Sequence, residues 1–136
     1  MAINKIVIDA ENSIFGRTCS YAAKQALQGN EIVVVNCEKA VITGNRKDII
    51  NRYSTLRKLG GFSQKGPKRS RLTPMMFKRS IRGMLPDFRW GEGRAAFKRI
   101  MCYEGVPKEF EKDKKVKIPG TRHDKFIELK ELSRSI

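Results

Sequence analysis

Two short apolar runs with a helical pattern between them constrain the fold more than any other feature of the sequence. Residues 5–10 and 31–36 are rich in β-branched side chains and are bounded by polar turn residues, which is typical of buried strands. The second run is apolar at four successive positions, as expected in a parallel sheet covered on both faces. Between them, one helical stripe is formed by Cys19, Ala22, Ala23, Ala26 and Leu27. The order strand, helix, strand predicts a right-handed crossover and an α/β domain.

The next segments predict a strand, a helix and a loop. Residues 40–44 form a short third apolar run. Residues 47–59 carry a second helical stripe made of Ile49, Ile50, Tyr53 and Leu56. Residues 60–72 consist mainly of Gly, Ser, Lys, Arg and Pro, a composition that buries little and predicts an extended loop.

The second half of the chain predicts two more helices and a further strand. Thr73 and Pro74 are typical of a helix start, with threonine at the N-cap and proline at the first helical position. The predicted core face of this helix consists of Phe77, Ile81, Met84 and Leu85, and Pro86 is expected to end it. A fourth helix, ending near residues 105–107, is predicted from Ala96, Phe97, Ile100 and Met101. Residues 116–119 and 126–129 are short apolar runs, and the second is compatible with a strand.

Positive charge is concentrated in residues 57–99, which we call the basic segment. It holds thirteen basic residues against two acidic ones, whereas the rest of the chain is nearly balanced within a net charge of +15. Eight of the thirteen are arginines, whose planar guanidinium binds phosphate through two hydrogen bonds. Aromatic residues Phe62, Phe88 and Trp90 are interleaved and are candidates for base stacking. This pattern favours a polyanion, and above all a nucleic acid, over an ordinary solvated face.

Fourteen residues of the basic segment are therefore candidate RNA contacts: Arg57, Lys58, Lys65, Lys68, Arg69, Arg71, Lys78, Arg79, Arg82, Arg89, Trp90, Arg94, Lys98 and Arg99. The sequence leaves open whether Trp90 stacks on a base or anchors its loop to the protein core.

Other chemistries find little support. Residues 11–18 resemble a phosphate-binding loop, but Glu11 replaces its first glycine and Arg17 its lysine, which favours an ordinary turn with Arg17 as a candidate phosphate contact. His123 has no recognisable nucleophile motif to serve, so no catalytic residue is assigned. Three scattered cysteines predict buried, reduced thiols and no metal site or cofactor.

With no apolar run of membrane-spanning length and no signal-peptide pattern at its start, the chain is expected in the cytoplasm.

Several motifs in order resemble one family. Residues 82–86 read RGMLP after a proline-started helix, which resembles the signature of the universal large-ribosomal-subunit protein thirteen family. Residues 7–29, 31–44 and 94–110 resemble that family's first strand and helix, its second strand and turn, and its YEG-x-P stretch. The segment KKVKIP at 114–119 resembles the archaeal and eukaryotic branch, and the end at Ile136 leans archaeal.

The resemblance implies a three-layer α/β/α fold with a four-stranded, mostly parallel sheet and a basic loop-helix extension. It also implies one domain over residues 1–136 that binds large-subunit ribosomal RNA, contacts neighbouring ribosomal proteins, and supports subunit assembly and translation without catalysis. Two alternatives stay open: a free RNA-binding regulator, and an enzyme acting on a small phosphorylated substrate through the turn near Gly16.

Overall fold

The computed structural model describes residues 4–59, 68–118 and 124–136. Its strands are β1 (Lys5–Asp9), β2 (Glu31–Val35), β3 (Val41–Thr43), β4 (Ile100–Cys102), β5 (Lys115–Lys117) and β6 (Phe126–Glu128). Its helices are α1 (Phe15–Leu27), α2 (Arg46–Lys58), α3 (Thr73–Met84), α4 (Gly91–Lys98) and α5 (Leu129–Ser135). Within these residues no helix is long and apolar enough to span a membrane.

Four strands form one parallel sheet in the order β4-β2-β1-β5. Ile8 of β1 lies opposite Val34 of β2 on one side and Val116 of β5 on the other. Residues 32–35 of β2 are fully or almost fully buried, as expected for a central strand covered on both faces. A separate antiparallel pair joins β3 to β6, with Ile42 opposite Ile127. The strand predicted within residues 126–129 is thus confirmed.

The predicted three-layer arrangement is also confirmed. On one face of the sheet, Ile8, Ile32 and Val34 belong to a core shared with α1 and α3. On the other face, Val7, Val33 and Val35 pack beneath a cluster supplied by the chain that follows β4: Phe110, Tyr103 and Val106. Phe110 ends a 3₁₀ turn at Lys108–Phe110.

Helix α1 packs closely on α3 because its inner face is made of small residues. Cys19, Ala22, Ala23 and Ala26 are buried there, as the sequence predicts, whereas Leu27 of the same predicted stripe is 41% exposed. At the start of α1, the ring of Phe15 meets that of Phe77 from α3 edge to face, with 4.8 Å between ring centroids. This geometry is favourable for aromatic pairs. The contact fixes α3, and the basic side chains on its outer face, against the sheet.

The predicted fourth helix is wrong in its second half. Helix α4 ends at Lys98, and Ile100–Cys102 form β4, an edge strand that pairs with β2. The backbone N–H of Tyr103 donates to the Val34 carbonyl at 2.8 Å, and that of Ile32 donates to the Arg99 carbonyl at 2.9 Å. These two bonds flank β4 and pair this segment with the open edge of β2, which outweighs its weak helical pattern.

Three smaller expectations about the helices are also corrected. Thr73 is not an N-cap, because α3 already begins there and its hydroxyl donates to Glu104 Oε1 at 2.7 Å. Met84 is 46% exposed and lies outside the core, whereas Phe77, Ile81 and Leu85 are buried as predicted. Helix α5 was not predicted at all; its Leu129 and Leu132 are fully buried.

Candidate nucleic-acid interface

A groove of about 700 Å³ lies between α2 and α3 and is also lined by the turn at residues 86–89. Five arginines line it: Arg52 from α2, Arg69 from the segment before α3, Arg79 and Arg82 from α3, and Arg89 from the turn. Among the described lining residues, Asp87 is the single acid, and its Oδ1 accepts the backbone N–H of Arg89 at 3.0 Å. We call this site the arginine groove.

Apolar side chains form the inner lining of the arginine groove. Phe15, Met76 and Leu85 are buried, and Tyr53 of α2 is half-buried beside them. We call these four residues the apolar floor. Burial raises the pKa of the Tyr53 hydroxyl above its usual value, so this residue is neutral near pH 7. The groove therefore combines a neutral, largely apolar floor with a strongly positive rim.

The arginines of the groove repel one another. Partial burial lowers the pKa of Arg79, and the positive charges of Arg69 and Arg82 lower it further. Arg79 remains a cation at neutral pH because the ordinary arginine pKa is so high. Its Nη1 also donates to the Lys68 carbonyl at 3.3 Å, which helps to hold the guanidinium in place.

This positive charge has no counterion in the described parts of the chain. The ion pairs found there are Lys39 with Glu11 and Arg46 with Glu131, and neither includes an arginine of the groove. The Nε of Arg69 is buried without a hydrogen-bond partner among the described residues. A buried, unpaired N–H is destabilising, and like charges held together are too. An external anion would relieve the repulsion between the like charges.

Aromatic rings orient several basic side chains at this surface. The guanidinium of Arg82 stacks over the Phe88 ring at 4.5 Å, and that of Arg89 lies 5.7 Å from the same ring. On the neighbouring side of α3, the Lys78 ammonium lies 5.1 Å from the Phe97 ring. Such cation–π contacts restrict the side chains without neutralising their charge. They leave hydrogen-bond donors free for a ligand.

The structure brings only part of the candidate set into the groove, namely Arg69, Arg79, Arg82 and Arg89. The side chains of Lys58, Lys68, Arg71, Arg94 and Lys98 are exposed outside it. Lys65, like Phe62 and His123, lies outside the described residues. Of the predicted loop at residues 60–72, the described part, residues 68–72, forms neither helix nor strand. Whether any of these side chains contacts RNA stays a prediction.

Trp90 does not anchor its loop to the core. Its side chain is 71% exposed at the position before α4, next to the turn that carries Phe88 and Arg89. This exposure does not fit the interpretation that the ring anchors its loop. The stacking itself stays a prediction.

Two candidate arginines are already used within the fold. Arg57 Nη1 donates to the carbonyl of Ile136, at the end of α5, at 3.0 Å. Arg99 is half-buried, and its Nη1 donates to the Ala26 carbonyl in the last turn of α1 at 2.9 Å. A cation at this end of a helix also interacts favourably with the helix dipole. Arg99 thus contributes to stability independently of any RNA contact.

We therefore expect Arg99→Met to lower the free energy of unfolding by about 1–2 kcal/mol, because a charge-assisted hydrogen bond is lost. Lys98→Met removes a neighbouring but exposed charge and is expected to change stability by less than about 0.5 kcal/mol. Urea denaturation of both variants measures the difference. Equal stability of the two variants would show that the Arg99 hydrogen bond does not stabilise the protein.

The C-terminal helix connects to the basic segment and its flanks at three points. Glu131 pairs with Arg46 at the start of α2, and the Ile136 carbonyl accepts from Arg57 near its end. The Ser133 hydroxyl donates to the Arg71 carbonyl at 2.6 Å, next to the start of α3. These contacts connect α5 to α2 and to the residues just before α3, the two helices that line the arginine groove. They matter most for α2, which has no buried residue of its own.

Arg52 and the apolar floor are the parts of the groove that sequence reasoning missed. Arg52 precedes the basic segment and looks like an ordinary exposed helical arginine. One available signal was its place next to Tyr53 in the stripe of α2, which puts it at the edge of that helix's inner face. Phe15 is separated from the basic segment by more than forty residues in sequence and reaches the groove only through the packing of α1 on α3.

The turn between β1 and α1 does not form a phosphate site. Asp9 Oδ1 accepts the backbone N–H of Glu11 and the side-chain amide of Asn36, both at 3.0 Å. Glu11 lies beside it and pairs with Lys39. Two carboxylates at this turn disfavour an anionic substrate. The enzyme hypothesis therefore loses the site on which it depended.

The cysteines are free, as predicted, and two of the three are buried. Burial raises the pKa of the Cys19 thiol. The pKa of the Cys37 thiol is raised as well, mainly by its hydrogen bond with Cys102 and secondly by burial. Both are therefore protonated near neutral pH and are poor nucleophiles. No group of three or more metal-ligating side chains occurs in residues 4–59, 68–118 and 124–136.

Comparison with known proteins gives a consistent result. The family model described as Ribosomal protein L13 matches residues 3–109. A protein named large ribosomal subunit protein uL13 from Methanocaldococcus jannaschii is 43% identical over 135 residues, covering 96% of each chain. The protein of the same name from Archaeoglobus fulgidus is 41% identical over 134 residues, covering 94% of this chain and 85% of its own. These relatives are archaeal, which confirms the branch that the sequence resembles.

Proposed function

The chain belongs to the ribosomal protein L13 family, and we propose that it binds large-subunit ribosomal RNA through the arginine groove and the basic residues around it. As a member of this family it is a non-catalytic, structural component of the ribosome. Under the proposal, residues 1–136 act as one RNA-binding unit that supports assembly of the large subunit in the cytoplasm and contacts neighbouring ribosomal proteins.

The observation that carries the proposal is the unpaired charge of the groove. Five arginines surround one space, Asp87 is the sole acid among its described lining residues, and no ion pair neutralises them there. A cluster of this kind is unfavourable in the free protein and becomes favourable when phosphates lie against it. The exposed basic residues on α4 and before α3 extend the same charge outward.

The chemistry of arginine determines what such a surface recognises. Guanidinium groups bind phosphate oxygens through paired hydrogen bonds, which fixes the position and orientation of the RNA backbone. Phosphate contacts carry no base sequence, so recognition depends on the folded shape of the RNA. A protein that binds in this way serves as a structural constituent that holds RNA segments in place.

We test this proposal with Arg82→Glu, which reverses one charge in the groove and removes the stack on Phe88. We expect its affinity for large-subunit rRNA to fall roughly 10- to 100-fold, because a charged hydrogen-bonding partner is lost and a repulsive one introduced. Lys130→Glu is the matched control: it makes the same charge change on an exposed residue of α5. We expect that control to bind within about threefold of the wild-type protein, as surface charges far from an interface contribute little.

Binding is measured by filter retention of rRNA fragments at constant salt, and circular dichroism checks that both variants are folded. An equal loss of affinity in the two variants would mean that the RNA does not lie at the arginine groove.

A further inference from the structure

We propose that the arginine groove holds an unpaired nucleotide of the RNA, with its phosphate on the arginine rim and its base against the apolar floor and the Arg82–Phe88 stack. This inference rests on the proposed function and adds a statement about the ligand: the groove recognises single-stranded RNA, whereas the outer basic residues serve any RNA backbone.

The shape of the site is the first argument. A volume of about 700 Å³ falls within the range of roughly 300–1,000 Å³ that is typical of sites for small molecules. A flat or convex basic face is sufficient for contacts to duplex phosphates, which lie on the outside of the helix. A concave site of nucleotide size offers room for a group that a duplex keeps stacked inside.

The lining of the groove is the second argument. Phosphate needs only donors and positive charge, yet the inner lining is made of Phe15, Tyr53, Met76 and Leu85, and Met75 at the same groove is 49% exposed. A base has a flat apolar face, and unpaired bases stack on aromatic rings and on guanidinium planes. Arg82 lying over Phe88 at 4.5 Å provides such a plane, already oriented.

The unpaired donor of Arg69 is the third argument. Its Nε is buried and has no partner among the described residues, in a side chain that lines the groove. Buried donors in folded proteins almost always find an acceptor. Because this atom is covered in the free protein, it pairs with a phosphate or base oxygen in the groove only when the Arg69 side chain turns toward that oxygen.

Gly83 provides a way to block the groove without changing its charge. It lies on α3 among the lining residues, and a Cβ built on it meets no atom within 4 Å. Gly83→Phe therefore places a ring at the lining of the groove without a clash at its Cβ. Gly16→Phe is the matched control: Gly16 is exposed, lies in α1, also has no atom near its Cβ position, and is absent from the described lining of the groove.

The probes are a fluorescein-labelled single-stranded RNA of roughly twelve nucleotides and the duplex of the same sequence with its complement. We expect Gly83→Phe to weaken single-strand binding by at least about fivefold, the low end of what one stacked base contributes. Its duplex binding is expected to stay within about twofold of wild type, since the phosphate contacts of the rim remain. Gly16→Phe is expected to bind both probes like the wild-type protein.

Three results would overturn the inference. If Gly83→Phe binds the single strand as well as wild type, the base does not enter the groove. If it loses single strand and duplex to the same extent, the groove contacts RNA but does not select an unpaired nucleotide. If the wild-type protein binds neither probe, the groove does not hold an unpaired nucleotide; only a loss of binding to rRNA fragments as well would mean that the proposed function fails. Melting curves of each variant show whether it is folded.

Discussion

The affinity of this protein for large-subunit rRNA is expected to fall about 10³- to 10⁵-fold when the salt concentration rises from about 50 to 200 mM. The expectation assumes contacts to roughly six to ten phosphates. At each contact a basic side chain takes the place of the cations bound to the phosphate, and these cations are released into solution. The basic segment supplies enough groups for this number even without Arg57 and Arg99, which are bonded within the fold. Fluorescence anisotropy of a labelled rRNA fragment over a salt series measures the slope.

A substitution that removes one groove contact makes the salt experiment specific to this site. Arg82→Gln is expected to make the negative slope of log affinity against log salt shallower by about one, because one phosphate contact disappears. Lys130→Gln, at an exposed position of α5, is expected to leave the slope unchanged. A wild-type affinity that hardly responds to salt would contradict the electrostatic mechanism.

Gly93→Ala is expected to lower the free energy of unfolding by about 3 kcal/mol or more, at the upper end of the cost of overpacking. A Cβ at position 93 would overlap the carbonyl oxygens of Pro86 and Asp87. Both are backbone atoms, so neither a rotamer change nor a small side-chain shift relieves the contact. Helix α4 would have to move away from the turn at residues 86–89, which carries Phe88 and Arg89.

The control for this substitution is Gly83→Ala. Gly83 lies within α3, and a Cβ added there meets no other atom. We therefore expect Gly83→Ala to stabilise the protein by about 0.5–1 kcal/mol, because alanine has a better helix propensity than glycine. Differential scanning calorimetry should show a melting temperature roughly 10 °C lower for Gly93→Ala and slightly higher for Gly83→Ala. Similar melting temperatures for the two variants would show that the turn yields to the added methyl group at little cost.

The first part of the fold could be predicted from the sequence because local pattern and tertiary environment agree there. β-Branched runs at residues 5–10 and 31–36 became the buried strands β1 and β2, and the small residues of α1 became its packing face. Strand β4 could not be predicted in the same way. Three apolar residues directly after a helix are compatible with one more helical turn and with a short strand. This segment is a strand because it pairs with the open edge of β2, a long-range contact that the sequence does not reveal.

The candidate site was predictable in charge but not in shape. Arg69, Arg79, Arg82 and Arg89 stand out in the sequence because acidic residues are nearly absent around them. Their convergence on one groove depends on long-range packing: Phe15 reaches it through α1, and α5 holds α2 through Arg46 and Arg57. No local pattern encodes such contacts.

Ultraviolet crosslinking of protein to RNA in intact large subunits from the source cells tests the central claim most directly. Crosslinked peptides are identified by mass spectrometry after digestion at aromatic residues, since trypsin would cut at the arginines under study. We expect the crosslinked nucleotides on peptides from residues 68–99, including those with Phe88 and Trp90. Crosslinks confined to residues 108–117 and to α5, with none in residues 68–99, would contradict the proposal that this chain binds rRNA through its arginine groove.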